Sequence, residues 1–301
     1  MTIRKAVIPA AGLGTRMLPA TKSQPKEMLP VGRKPTIQYV VEELESIGIK
    51  QILIITGQKK RATEDHFDRD MELIRYLEEK GNYDLIETLK YEESDTQFFY
   101  TRQSEQKGTA HAISLAENFI DNEHFIVCLG DSIIVSSQQG SLLRRLIDTH
   151  ERRNSAVTIA FRLVPSEDVS KYGIASPHPD FDYGSEFKLK DLIEKPEIDK
   201  APSKLAISAR YVFSPEIFDA IRETPLSKDE YQITDSIRIL MNRRDAWGVR
   251  LADDEVRIDV GRFDGYFKAF IKFAFEDKEF GEETKEYARK LLEIDSKKQM
   301  P

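Results

Sequence analysis

The chain has 301 residues, of which 40% are hydrophobic and 32% are charged, and its formal net charge at pH 7 is −7. A chain of this length can bury a substantial core, either as one large domain or as two smaller ones. The negative charge argues against nucleic acid or an anionic membrane as a general partner, so we expect neither.

The single cysteine, Cys128, lies in the apolar run HFIVCLG, which predicts a buried thiol and excludes a disulfide framework. The opening segment MTIRKAVIPAAG lacks the long apolar core that signal peptides carry. No stretch reaches the ~18 consecutive apolar residues of a membrane-spanning helix. We therefore expect a cytoplasmic protein.

In the first half of the chain, short apolar runs alternate with longer amphipathic segments. The predicted strands are KAVIPAA, QILIITG, QFFYTR and HFIVCLGD. The predicted helices are TIQYVVEELESIG, ending at Gly48, a charged stretch from about residue 59 to 80, and AHAISLAENFI. This alternation predicts βαβ units in a three-layer α/β/α sandwich with a Rossmann-like, mixed and mostly parallel sheet.

After about residue 154 the pattern changes. The predicted strands are AVTIAFRLV, KLKDLIEKP, LAISARYVF, WGVRLAD and EVRIDVG. SPEIFDAIRET and QITDSIRILMNRR have helical spacing, with Ser214 as a candidate N-cap. Two amphipathic helices are predicted at the C-terminus. Since no internal repeat or strong linker is found, we expect one main domain over residues 1–265 and a C-terminal helical extension over residues 266–301.

A glycine-rich loop, AAGLGTRMLP, follows the first predicted strand. A dinucleotide fingerprint would need a glycine at Met17, and a P-loop would need Gly-Lys-Ser/Thr where this chain has Gly-Thr-Arg. Two glycines alone are equally compatible with a tight turn of purely structural role. The nearby cations Arg16, Lys22 and Lys26 favour a phosphate site, because glycines let backbone N–H groups surround phosphate oxygens.

Acidic residues follow two further predicted strands. Asp131 ends VCLGD and Asp259 lies in RIDVG, and in doubly wound sheets ligands bind beyond the carboxyl ends of the strands. One or two carboxylates together with substrate phosphates commonly hold Mg²⁺. Taken alone, Asp131 is better explained as a helix or turn cap, and Glu194-Lys195 in DLIEKP as a solvated charge pair at a strand end. The spacing does not show whether the two aspartates meet.

The segment KAVIPAAGLGTRMLPATKSQPKEMLPVGRKPTIQYVVEE resembles the N-terminal signature of the bacterial-type UTP–glucose-1-phosphate uridylyltransferases (UDP-glucose pyrophosphorylases), a sugar nucleotidyltransferase family. The resemblance continues through ITGQKKRATEDHFD, LGD, EDVSKYGI, IEKP, APSKLAISARYVFSPEIFD and DVGRFDGYFKA, to about residue 275. It implies a nucleotide-diphospho-sugar transferase fold. It also implies a Mg²⁺-dependent, reversible transfer of the uridylyl group of UTP to glucose 1-phosphate, and a homo-oligomer, either a dimer or a tetramer.

The resemblance implies a role for each matching residue. In this family the loop wraps the triphosphate and the base lies against the adjoining backbone, which gives the nucleotide-binding residues Ala10, Ala11, Gly12, Gly14, Thr15, Gln103 and Gly108. The sugar phosphate would contact Gly173, Glu194 and Lys195. Mg²⁺ would be bound by Asp131 and Asp259. The catalytic residues would be Arg16, Lys26, Asp131 and Lys195.

The chain departs from the family's usual pattern at several positions. In QKGTAHA, Thr109 and Ala110 replace Leu and Gly beside the expected base pocket, and Ser208-Ala209 replace Ile/Val-Gly near the expected sugar pocket. KDEYQITDS lacks the usual glycines, and Arg262-Phe263 replace the common Asp-Lys. These departures leave open the same chemistry with dTTP or with another hexose 1-phosphate, such as that of galactose or N-acetylglucosamine.

Two further alternatives belong to other functional classes. A non-catalytic paralogue could bind nucleotide sugar and regulate a partner, although such a binder would not need both metal carboxylates. A nicotinamide-dependent dehydrogenase is disfavoured by Met17 and by Gln58 and Lys59, which follow the second strand where that fold carries an acidic residue.

Overall fold

A nine-stranded mixed sheet organises the chain in a computed structural model, which describes residues 3–180, 184–227 and 229–298. The strands are β1 (Lys5–Pro9), β2 (Pro30–Val31), β3 (Lys34–Pro35), β4 (Gln51–Thr56), β5 (Gln97–Arg102), β6 (Phe125–Cys128), β7 (Ser132–Val135), β8 (Val157–Leu163), β9 (Gly173–Pro177), β10 (Glu186–Glu194), β11 (Leu205–Phe213), β12 (Ala246–Arg250) and β13 (Val256–Asp259). The α-helices are α1 (Thr36–Glu45), α2 (Arg61–Phe67), α3 (Met71–Glu79), α4 (Tyr83–Thr88), α5 (Thr109–Ser114), α6 (Glu117–Ile120), α7 (Ser141–Arg152), α8 (Ile217–Glu223), α9 (Ile233–Met241), α10 (Phe263–Phe275) and α11 (Gly281–Lys298).

The main sheet has the strand order β5-β4-β1-β6-β11-β8-β12-β10-β9. Strands β5, β4, β1 and β6 are mutually parallel, and β12 is parallel to β8. The other pairings, from β6–β11 onward, are antiparallel. The α/β class with a mixed sheet is therefore confirmed, but parallel pairing predominates only in the N-terminal half. Parallel strands need long crossover connections, whereas β9 and β10 pair directly as neighbours in the chain.

Helices cover both faces of the sheet, which gives the expected three layers. On one face, α1 and α7 pack against the sheet through Ile37, Val40, Val41, Leu44, Leu142, Leu143 and Leu146. On the other face, α5, α8 and α9 contribute Ala112, Ile113, Phe218, Ile221, Ile237 and Leu240. Cys128 is buried in the first of these layers, as predicted from its apolar run.

Several helices are shorter than their periodicity indicates. The first ends at Glu45, and a turn follows in which the Gly48 N–H donates to the Glu45 carbonyl oxygen at 2.9 Å. The charged stretch from 59 to 80 forms two helices, α2 and α3, because Asp68 is extended and the Asp70 side chain caps α3. At Ser214, the predicted N-cap, only the backbone carbonyl accepts a hydrogen bond from the start of α8.

A second, two-stranded sheet lies beside the main one. In it β7 and β13 run antiparallel, and a small apolar cluster joins this pair to α10 through Val31, Ile133, Val260 and Ala269. The Tyr266 hydroxyl donates to the Pro30 carbonyl oxygen at 3.0 Å and fixes α10 against β2. The proposed boundary at residues 265/266 lies inside α10 and stays a prediction.

No helix in the described part of the chain is both long enough and apolar enough to cross a membrane. The cytoplasmic location stays a prediction from the sequence.

Candidate active site

The glycine-rich loop leaves the buried end of β1. Ala10 still follows the sheet, because its N–H donates to the Ile55 carbonyl oxygen at 2.8 Å, and Ala10 and Ala11 are both buried. Gly12 is the first exposed residue of the loop. The expected nucleotide-binding residues 10–12 therefore lie at the carboxyl end of a central strand.

Gly14 occupies a conformation that favours glycine. Its φ is 69° and its ψ is 22°, and a Cβ at this position would lie 3.1 Å from the Cβ of Thr21. The Thr21 hydroxyl donates to the Gly14 carbonyl oxygen at 2.8 Å and fixes the turn. In the following 3-10 turn Met17 is fully buried, whereas Thr15 and Arg16 are exposed. The buried Met17 side chain anchors the loop, which explains why position 17 does not carry the third glycine of a dinucleotide-binding fingerprint.

Gln103 and Gly108, expected beside the base, are in direct contact. The buried Gln103 side chain donates from Nε2 to the Gly108 carbonyl oxygen at 3.1 Å and to Nδ1 of His111 at 2.9 Å. Gly108 has a φ of 94°, and a Cβ there would lie 2.6 Å from the Tyr231 carbonyl oxygen. Gly108 therefore cannot carry a side chain without displacing the backbone of Tyr231, which lies just before α9. The Gln103 N–H donates to the Thr56 carbonyl oxygen at 2.9 Å, which places it at the same sheet edge as the loop.

The two aspartates expected to bind Mg²⁺ do converge. Asp131 directly precedes β7 and Asp259 ends β13, and these two strands pair so that Asp259 lies opposite Ser132. A Cβ on Gly261 would lie 2.8 Å from Oδ2 of Asp131 and 3.2 Å from Oδ1 of Asp259. Both carboxylates thus face the same small space, which a side chain at 261 would fill.

Cations surround this carboxylate pair. Lys26 Nζ donates to Oδ2 of Asp131, and the buried Arg257 donates from Nη2 to Oδ2 of Asp259 at 2.9 Å. Burial alone would raise the pKa of Asp131, but the neighbouring Lys26 outweighs it and holds that pKa well below its usual range, with Arg257 and Arg16 acting in the same direction. Burial likewise opposes the charge of Lys26, yet Asp131 raises the pKa of the lysine above its usual value. Both groups are therefore ionised at neutral pH.

The residues expected on the sugar phosphate form a second group. Gly173 in β9 lies opposite Glu194 in β10, and Oε2 of Glu194 accepts a hydrogen bond from the Thr234 hydroxyl at 2.7 Å. Lys195 has a φ of 45°, its exposed ammonium lies 3.3 Å from Oε1 of Glu194, and its N–H donates to the Tyr172 carbonyl oxygen at 3.0 Å. All three expected residues are thus brought together.

Tyr172 connects this second group to the aspartates. The Arg257 guanidinium lies 5.5 Å from the centre of the Tyr172 ring, and Arg257 also holds Asp259. The candidate site therefore has three parts: the sheet edge with the glycine-rich loop, where a nucleotide is expected (the nucleotide edge), the carboxylate pair, and the corner around Glu194, where a sugar phosphate is expected.

Comparison with known proteins identifies the family. The nucleotidyl transferase family model matches residues 5–275. This chain belongs to the nucleotidyl transferase family. It is 43% identical to the UTP–glucose-1-phosphate uridylyltransferase of Staphylococcus epidermidis over 290 aligned residues. The aligned region covers 96% of this chain and 98% of the Staphylococcus protein. The resemblance found in the sequence is therefore confirmed.

Solved structures give the same result for this nucleotidyl transferase. The UTP-bound UGPase from Acinetobacter baumannii superposes with a TM-score of 0.89 at 34% identity, over 96% of this chain and 100% of that chain. A UDP-glucose pyrophosphorylase complexed with UDP-glucose superposes with a TM-score of 0.82, also at 34% identity, over 92% of this chain and 100% of that chain.

The donor set of this nucleotidyl transferase fits Mg²⁺. Asp131 and Asp259 offer carboxylate oxygens, which Mg²⁺ prefers, at the place where a Cβ on Gly261 would intrude. In the described residues no group of three or more His, Cys, Asp or Glu side chains is placed to hold a metal ion. Phosphate oxygens and water would therefore complete the coordination, as is usual for Mg²⁺ at nucleotide sites.

The sequence reasoning gave no role to several residues that contact the site: Glu27, Lys60, Tyr172, Thr234 and Arg257. Four of them lie in or next to a segment that carries the family resemblance, which was the available signal, whereas Thr234 lies in KDEYQITDS, where the chain departs from the family pattern. The signal could not supply their contacts, because each pairs with a residue that a different strand or helix positions.

Proposed function

We propose that this chain transfers the uridylyl group of UTP to glucose 1-phosphate, which gives UDP-glucose and pyrophosphate. The observation that carries the proposal is the convergence of Lys26, Asp131 and Asp259. The proposal is also supported by relatives of nearly the same length whose names state this activity, and by similar structures with bound UTP and UDP-glucose.

UTP would lie along the edge formed by the ends of β1, β4 and β5. Its triphosphate would meet the exposed backbone of the glycine-rich loop and the Arg16 guanidinium, which offers several N–H donors in one plane. Its base would lie against the backbone of residues 10–12. The nucleotide-binding residues in this proposal are Ala10, Ala11, Gly12, Gly14, Thr15, Gln103 and Gly108.

Glucose 1-phosphate would occupy the corner around Glu194. The carboxylate of Glu194, already fixed by Thr234, would accept hydrogen bonds from sugar hydroxyls close to the backbone of Gly173. The ammonium of Lys195 is exposed and lies beside Glu194, so it can move from this carboxylate to a sugar phosphate bound in the same corner. Lys195 would thus hold the nucleophile.

The reaction needs positioning and charge neutralisation more than a general base. An oxygen of the sugar phosphate, anionic at pH 7, attacks the α-phosphorus of UTP, and the bond to the pyrophosphate oxygen breaks. The Lys26 ammonium lies 3.9 Å from Oε1 of Glu27 and contacts Oδ2 of Asp131. It can therefore move to an α-phosphate oxygen and still lie close to these negative charges. Arg16 and Lys26 then offset the charge that develops on the α-phosphate and the leaving group.

Asp131 and Asp259 are the residues that would bind Mg²⁺ in this proposal. When bound, the ion would supply positive charge to the triphosphate and the departing pyrophosphate. The two aspartates would fix its place. Arg257 would keep Asp259 oriented through Oδ2, while Oδ1, which accepts the Gly261 N–H at 3.0 Å, faces the metal side.

Pyrophosphate release tests the function directly. Purified protein with Mg²⁺ is assayed with UTP and dTTP, each combined with several hexose 1-phosphates. A maximum with UTP and glucose 1-phosphate is the expected result. A maximum with another nucleotide or another hexose 1-phosphate would change the proposed substrates but not the proposed reaction type. If folded protein that binds UDP-glucose releases no pyrophosphate in any combination, the proposed enzymatic activity is refuted and a regulatory paralogue is favoured.

We also propose that the chain forms a homo-oligomer, either a dimer or a tetramer, through its C-terminal helices. Helices α10 and α11 expose large apolar side chains, including Phe267, Phe270, Ile271, Tyr287 and Leu291. Exposed apolar surface of this extent is typical of protein–protein contacts. Light scattering at micromolar concentration is expected to give at least twice the monomer mass, and a monomer would contradict the proposal.

A further inference from the structure

A buried charge pair lies behind the nucleotide edge. Lys60, 7% exposed, donates from Nζ to Oε2 of Glu27 at 2.8 Å, and Glu27 is only 1% exposed. The same Nζ donates to the carbonyl oxygen of Ala10. Lys and Glu are almost never buried to this extent unless they are paired. The pair joins two loops that are separate in the sequence.

Stability alone is a weak explanation for such a pair. Burying two ions carries a desolvation penalty that their mutual attraction often fails to recover, and apolar replacements of similar volume are often neutral or stabilising. In addition, Lys60 stands at the N-terminus of α2, where the helix dipole disfavours a positive charge. The pair is therefore better explained by what it positions.

On one side, Lys60 fixes the backbone that would meet the base. The Ala10 N–H is bound to the Ile55 carbonyl oxygen, and the Ala10 carbonyl is bound to Lys60. With both groups of this residue held, the peptide plane between Ala10 and Ala11 has a single orientation. The direction of the Ala11 N–H follows from it.

On the other side, Glu27 reaches the reacting groups. Its Oε1 lies 3.9 Å from the ammonium of Lys26, which is in turn bound to Asp131. Its Cγ lies 3.2 Å from the place that a Cβ on Gly130 would occupy, so the stem of Glu27 packs against the turn before Asp131. Opposite charges thus alternate from Lys60 through Glu27 and Lys26 to Asp131.

We propose that Glu27 and Lys60 are positioning residues that join the base-contacting backbone at Ala10 to the α-phosphate lysine, Lys26. The inference rests on the proposed function, because it concerns how UTP is held. One rigid unit then sets the distance between the two places where UTP is gripped. Base recognition and placement of the α-phosphorus are coupled through it.

The decisive variant is Lys60→Met, which keeps the side-chain length and removes the charge. We expect its affinity for UTP, measured by calorimetry with Mg²⁺, to fall about tenfold, the size of effect expected when one or two hydrogen bonds to the ligand are lost. Its affinity for inorganic tripolyphosphate, which has no base, should change less than threefold. In pyrophosphate release, KM for UTP should rise while KM for glucose 1-phosphate stays within twofold.

The double variant Glu27→Gln/Lys60→Met separates positioning from stability. It leaves no unpaired buried charge, so its melting temperature should recover relative to Lys60→Met, and it serves in place of the single variant if that one does not fold. Its affinity for UTP should not recover. Recovery of UTP affinity together with the melting temperature would show a merely structural pair and overturn the proposal.

The control is the pair of Arg145 with Glu255, in which the carboxylate side chain is also 1% exposed while the arginine side chain is 34% exposed. The variant Arg145→Met/Glu255→Gln should leave the affinity for UTP unchanged. An equal loss of UTP and tripolyphosphate affinity in Lys60→Met, or wild-type UTP affinity, would overturn the proposal. Because these readouts are binding constants, they stand even if the wild-type protein releases no pyrophosphate, an outcome that would refute only the proposed function.

Discussion

The ion pair between Arg210 and Glu43 supports the turn that carries Asp131, and we expect the variant Arg210→Met to unfold far more easily than the wild-type protein. Arg210 is fully buried in β11, and it donates to Oε2 of Glu43 from Nε at 3.1 Å and from Nη2 at 2.7 Å. It also donates to the carbonyl oxygens of Ser132 at 2.8 Å and Ala209 at 3.2 Å. The methionine would leave all three partners without these bonds.

The expected cost follows from these contacts. Breaking a buried ion pair by removing one partner costs about 3–5 kcal/mol, because the remaining charge is uncompensated. Each backbone carbonyl left without its donor adds ~1 kcal/mol. We therefore expect the free energy of unfolding to fall by at least about 3 kcal/mol, which for a chain of this size lowers the melting temperature by at least about 5 °C.

Urea denaturation followed by circular dichroism measures this loss. The double variant Glu43→Gln/Arg210→Met should regain a large part of the lost free energy, since it removes the uncompensated charge. The control is Arg222→Met, which breaks only exposed pairs and should leave the free energy of unfolding nearly unchanged. A loss below ~1 kcal/mol in Arg210→Met, or a double variant no more stable than the single one, would refute the reasoning.

Two further predictions concern the site, and a third concerns the pH dependence of the stability of the fold. Asp131→Asn and Asp259→Asn should each remove most turnover at saturating Mg²⁺, and wild-type turnover in both would eliminate the two-carboxylate assignment. Lys195→Ala should raise KM for glucose 1-phosphate far more than KM for UTP; an equal rise would contradict its role on the sugar phosphate. The hydrogen bond from Arg152, acting against burial, lowers the pKa of Glu186 from 4.5 to about 2. A carboxylate with a lowered pKa stabilises the fold above pH 4.5 and ceases to do so as the pH falls toward 2. Glu186→Gln should therefore show a smaller loss of melting temperature over that pH range than the wild-type protein, and an identical loss would contradict the pairing.

Periodicity and turn chemistry predicted most of the fold, because they act locally. Apolar runs bounded by glycine or charged residues gave the central strands, and the helical spacing in α1 matched the side chains that are buried. The prediction of a continuous charged helix from 59 to 80 was wrong, because helical periodicity does not reveal a single extended residue such as Asp68. Antiparallel pairing in the C-terminal half depends on which strands become neighbours, and the strand sequences do not state this.

In the candidate site, too, the sequence predicted individual residues but not the contacts between them. Asp131 and Asp259 could be found from their position at strand ends, but their convergence depends on the pairing of β7 with β13, two strands far apart in the chain. Arg210 lies in a run predicted as a buried strand, yet nothing in that run names Glu43 as its partner. Long-range charge pairs of this kind are set by the three-dimensional packing, so sequence patterns cannot supply them.

Three of the departures from the family pattern, at Ala110, Ser208 and Ala209, are buried residues inside the fold. Ala110 is fully buried, its N–H donates to the Tyr231 carbonyl oxygen at 3.1 Å, and its methyl group packs in the core. Ala209 keeps a φ of 59°, which costs roughly 1 kcal/mol in a residue other than glycine, and its carbonyl still accepts the Leu129 N–H at 3.1 Å.

The Ser208 side chain is also fully buried, so of the departures near the two expected pockets only Thr109, half-buried at the start of α5, retains exposed surface. The groups that would meet the base, Gln103 and the backbone at Gly108, keep the contacts described above. We therefore expect Thr109→Leu to change the ratio of kcat/KM for UTP and dTTP less than tenfold. A larger change, measured by pyrophosphate release, would show that this position selects the base and that the family departures reach the pocket.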